Sequence, residues 1–75
     1  MSADARVAAA ERALADQGVY GATVEVEGHQ REIAAVRVPA ADWERMLGPE
    51  GAGIADSVKA AGFRYVALDF GPAAG

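Results

Sequence analysis

Apolar residues recur at helical spacing at the start of the chain, with Val7, Ala10 and Leu14 on one stripe and Arg6, Glu11, Arg12 and Asp16 outside it. Ser2 or Asp4 can cap this helix, which is expected to run to about Gln17, and Gly18 is placed to end it in the left-handed conformation. From Ala22 the period changes to two: Ala22, Val24 and Val26 alternate with Thr23, Glu25 and Glu27. Gly28-His29-Gln30-Arg31 then makes a polar turn into a second strand, Ile33 to Val38, so the pair reads as an antiparallel hairpin ended by Pro39. A helix begins near Ala41 with Trp43, Met46 and Leu47 as its apolar stripe. Gly48-Pro49-Glu50-Gly51-Ala52-Gly53 interrupts it and reads as a flexible linker. Ile54, Val58 and Ala61 restart the helix and Gly62 closes it. The final strand, Tyr65 to Phe70, turns Val66, Leu68 and Phe70 to one side and Tyr65, Ala67 and Asp69 to the other. Residues 71–75 are expected to be a frayed tail.

The order α-β-β-α-β gives an α+β domain, the part of a ferredoxin-like β-α-β-β-α-β unit that remains without its first strand. It predicts a three-stranded sheet with two helices on one face. A right-handed crossover is expected to set the third strand beside the first and parallel to it. The covered face would carry Val24, Val26, Val36, Val38, Val66, Leu68 and Phe70, with the last strand as the row the core most depends on. The opposite face would carry Thr23, Glu25, Glu27, Ala35, Arg37, Tyr65 and Asp69. Such a face is ordinarily solvated. It is also where Glu25, Arg37, Tyr65 and Asp69 could meet a ligand or a second subunit. An exposed sheet edge adds a route to a homodimer or hetero-oligomer.

Length makes this a single domain, 1–75, of a size that buries only roughly 60% of its unfolded surface. Nineteen of the 75 residues are alanine, which thins the helix side of the core. The chain has no cysteine, and so no disulfide, thiolate metal site or sulfur-carrying thiol. A net charge of −4 argues against nucleic acid or an anionic membrane as partner; no apolar run approaches the length of a membrane span, and no basic-then-apolar leader is visible. A cytoplasmic protein is the expectation.

The segment Gly62-Phe63-Arg64-Tyr65-Val66 with Leu68-Asp69 resembles the end of the LarE family, the ATP-dependent sacrificial sulfur transferases of the PP-loop superfamily. Further matches follow in order: Ala10-Glu11 and Leu14 before Gly18, Val36-Arg37-Val38-Pro39, and looser spacing through Trp43, Leu47, Ile54 and Val58. The resemblance covers nearly the whole chain but only that family's C-terminal domain. It implies an accessory domain assembling with a separately encoded PP-loop ATPase or sulfur transferase.

The departures narrow what the resemblance implies. The chain has no Ser-Gly-Gly-x-Asp-Ser type pyrophosphate loop and no cysteine. Glu25, Glu27 and Ala35 stand where the family tends to carry arginines, and Arg37 where it tends to carry an acid. Carboxylates there would repel a phosphate that arginines would hold, so no cofactor and no catalytic activity of the domain's own are expected. Other candidates are slight. His29, flanked by Glu27 and Glu32, could be a base or ligand, but a lone turn histidine is ordinarily solvated. Glu25 and Glu27 lie about 7 Å apart along one strand face. Trp43 and Met46 are core by spacing, and Trp43 would become an interface anchor if exposed. A second reading is a self-associating small-ligand or regulatory module built on the polar sheet face.

Overall fold

A computed structural model describes residues 4–70; Ser2 and the expected frayed tail lie outside the described residues. The α+β class and the order α-β-β-α-β are as the sequence predicts. Helix α1 spans Ala5–Asp16 and starts where the Asp4 carboxylate accepts the Arg6 N–H at 3.0 Å. It ends in a Schellman motif: Val19 N–H donates to the Leu14 carbonyl and Gly18 N–H to that of Ala15, both at 2.9 Å. Gly18 supplies the required positive φ of 83°. The motif folds Val19 back onto Leu14, and each is only 1% exposed. Val19 is thus a core residue that helical or strand periodicity does not mark.

Strands β1, Thr23–Glu27, and β2, Ile33–Arg37, form the antiparallel hairpin, with Val24 opposite Val36 and Glu25 opposite Ala35. A 3-10 turn, Ala40–Asp42, leads into α2, Trp43–Leu47. Helix α3, Gly51–Lys59, follows after only residues 48–50. The glycine-rich stretch is therefore a tight helix-to-helix turn and not a flexible linker. Gly51 is itself buried. A Cβ on it would lie 1.9 Å from the Met46 carbonyl oxygen, so glycine is there for close backbone approach.

Strand β3, Tyr65–Asp69, corrects the expected topology. The sheet order is β1-β2-β3, with β3 parallel to β2 and Arg37 in register with Asp69. Residues 38–64 thus return the chain beside its own preceding strand, in a β-α-β crossover, rather than beside β1. Helix α1 packs against β1 and α3, and α3 packs against β3. On β3, an edge strand, Val66, Leu68 and Phe70 are only partly buried. The core's largest fully buried side chains are instead Leu14, Val19, Val36, Ile54 and Val58. Trp43 is half-buried; its indole N–H donates to the Val38 carbonyl at 2.9 Å and its ring meets Phe70 edge-on at 5.9 Å. Its polar handle is satisfied and its ring packs on the last strand, which makes it structural.

Two groups of contacts tie the ends of α1 to the rest of the fold. Gln17 donates to the Ser57 hydroxyl, which itself donates to the Ile54 carbonyl, joining α1 to α3. At the other end of α1, Arg6 pairs with Asp4 at 2.7 Å, donates to the Gly62 carbonyl at 3.1 Å and lies 4.4 Å from the Phe63 ring centre. Arg31 of the hairpin turn joins Asp4 at 3.4 Å. The hydrogen bonds from the Arg6 side chain, then from its backbone N–H, hold the Asp4 carboxyl well below the usual carboxylate range. Among the described residues no helix is long and apolar enough to cross a membrane.

Candidate functional site: the uncovered face of the sheet

Among the described residues, helices cover one side of the sheet only. On the other side the register sets three rows across the strands: Thr23, Arg37 and Asp69; Glu25, Ala35 and Ala67; Glu27, Ile33 and Tyr65. The middle row carries the small side chains. Alanine at the centre of a strand leaves its neighbours standing above it, and a hollow of about 180 Å³ results, lined by Thr23, Glu25, Glu27, Ala35, Arg37 and Asp69. Its charge follows from the strand alternation: three carboxylates and one guanidinium, an excess of acid.

Arg37 and Asp69 are joined across β2 and β3. Both Nε, at 3.1 Å, and a terminal nitrogen, at 3.0 Å, meet Asp69 Oδ2. Each side chain is at least half exposed, so the pair contributes little to stability, on the order of 0–1 kcal/mol. Its effect is to fix the Arg37 guanidinium at one end of the hollow. Of the four residues singled out from the sequence, Glu25, Arg37 and Asp69 line this hollow. Tyr65 shares the face but stands at the far end of β3 in the row of Ile33 and Glu27, 55% exposed and outside the lining. Thr23, Glu27 and Ala35 complete the lining.

His29 is exposed in the hairpin turn, and the Glu32 carboxylate beside it accepts the Gln30 N–H at 3.0 Å. Glu32 thereby serves the turn. Among the described residues no group of three or more His, Asp or Glu side chains is placed to hold a metal ion.

Glu11 has a role that its place outside the apolar stripe conceals. Its carboxylate reaches from α1 to accept the Val24 N–H at 3.2 Å. It thus occupies a backbone donor on β1, an edge strand. The available sequence signal is position: Glu11 borders Ala10 and Leu14, the two residues by which α1 is buried.

Comparison with models of known protein families gives no match, and comparison with curated proteins gives none either.

Proposed function

We propose that this chain is an interaction domain whose uncovered sheet face docks a protein partner. The observation that carries the reading is the one-sided covering of the sheet, with the polar hollow of Glu25, Arg37 and Asp69 on the side left open. The resemblance to the C-terminal domain of the LarE family supplies the class of partner: a cytoplasmic PP-loop ATP-dependent enzyme of sulfur transfer or biosynthesis. These 75 residues contain neither a pyrophosphate loop nor a cysteine, so adenylation and sulfur donation would fall to that partner.

The test is titration of the purified chain into a PP-loop sulfur transferase from the same organism, followed by light scattering and by the enzyme's activity. A complex is expected, and Glu25→Ala combined with Arg37→Ala should abolish it with the circular dichroism spectrum unchanged. No complex and no change in activity would remove the reading.

The acid excess of the hollow supports a second reading, a regulatory module that takes a small cationic ligand. Calorimetry with amines and guanidines separates the two, because that reading needs binding in the absence of any enzyme.

A further inference from the structure

The two edges of the sheet are treated differently. On β1, a carboxylate from α1 occupies the Val24 N–H, and Glu25 and Glu27 place charge along the strand. These are devices that deter another strand from pairing. Strand β3 has fewer of them. It contains no lysine and no proline, and its one charge, Asp69, is offset by Arg37 at 3.0 Å.

The direction of the exposed backbone groups on β3 follows from its hydrogen bonds. Tyr65 N–H donates to the Glu32 carbonyl at 3.2 Å, and the Asp69 carbonyl accepts from Val38 N–H at 2.9 Å. Odd-numbered residues of β3 therefore aim their backbone groups at β2. Alternation turns the N–H and C=O of Val66, Leu68 and Phe70 outward. Among the described residues no further strand lies on that side. The same three residues carry apolar side chains that the helices leave only partly covered.

We infer that β3 is the seam of a homodimer, in which it pairs antiparallel with β3 of a second copy about a two-fold axis at Leu68. The outward groups then form the bonded pairs: Leu68 with itself, and Val66 with the second copy's Phe70. Reversal of the strand is what makes the pattern fit itself. An aromatic ring meets a β-branched side chain, a favourable cross-strand pair. Asp69 falls opposite the second copy's Ala67 and not opposite another carboxylate. On β1 the outward groups belong to Val24 and Val26. A two-fold axis at Val26 sets Glu25 against the second copy's Glu27, a like-charge contact that costs stability, and one at Val24 needs the N–H that Glu11 already occupies. Charge and the occupied donor together select β3.

An axis perpendicular to the sheet keeps both helical layers on one side. The result is a six-stranded sheet with the two uncovered faces joined, and a larger buried core for a domain of marginal size. The seam shares Asp69 with the hollow that the proposed partner would use, but the variants that test it lie at Ala67, outside the hollow's lining, so either can fail without the other.

The experiment is sedimentation of the purified chain over a wide concentration series, alongside two variants at the exposed Ala67 position. A monomer–dimer equilibrium is expected. Ala67→Asp sets two carboxylate pairs across the seam and should weaken the dimer on the order of tenfold. Ala67→Lys, facing the second copy's Asp69, should tighten it. Both should keep the circular dichroism spectrum of the native chain. In hydrogen exchange, the Val66, Leu68 and Phe70 amides should gain protection as concentration rises. A chain that stays monomeric throughout, or a dimer indifferent to both Ala67 variants, would overturn the inference.

Discussion

The two faces of this sheet are made by the same strands with the same alternation, yet they obey different constraints. On the covered face Val24, Ala34 and Val36 are at most 6% exposed and are fixed in size by the helices above them. On the open face Glu25, Ala35, Arg37 and Asp69 stand exposed or half-buried in strand register, with an exposed ion pair joining Arg37 to Asp69. Stability therefore depends on one face, which leaves the chemistry of the other open to selection for binding. The small alanine at position 35 fits this division. It adds nothing to the covered core, yet it is what gives the open face a hollow.

The largest effect separating the two regions is expected from Ile54→Ala. The side chain is 1% exposed in α3, against the covered face, and its truncation should cost about 2–5 kcal/mol. For so small a domain that approaches the whole stability, so urea unfolding should show a largely unfolded variant. Gly51→Ala comes next, at about 1–3 kcal/mol, because its methyl group would meet the Met46 carbonyl and backbone cannot step aside as a side chain does. Thermal unfolding at native-like midpoint would show that the α2–α3 turn is slack after all.

On the open face, Arg37→Ala should shift the unfolding midpoint by no more than about 1 kcal/mol of stability while weakening partner binding. Loss of fold in that variant would erase the distinction between the faces. The smallest effect belongs to acid. Arg6 holds the folded-state carboxyl of Asp4 below its ordinary 3.8, so the stabilisation is complete above that pH and is lost as pH falls below it. Asp4→Asn keeps the acceptor for the Arg6 N–H and removes the charge. Its unfolding midpoint should vary less with pH below 3.8 than the native chain's, and parallel curves would show the ion pair to be idle.

Strand alternation was legible in the sequence because it is local. It placed Glu25, Arg37 and Asp69 together on one face before any pairing was known. Which strand sits beside which is not local. The parallel return of β3 to β2 depends on how α1 and α3 divide the covered face, and five-residue strands carry no mark of it. Nor does composition mark the partial burial of Val66, Leu68 and Phe70, since the residues themselves are as apolar as any in the core. Gly51 was misleading for another reason. A glycine needed for close approach and a glycine that merely loosens the chain are the same letter, and only the Met46 carbonyl tells them apart. Glu11 and Val19 were hidden because each acts through the backbone, one by occupying a strand N–H and the other through a helix-end turn.

The measurement that bears most directly on the open face as the working surface is the titration against a PP-loop sulfur transferase, made with the native chain and with the Glu25→Ala, Arg37→Ala double variant. A complex with the native chain, lost in a double variant that keeps its fold, is the expected result. No complex, or one that binds the double variant equally well, would contradict it.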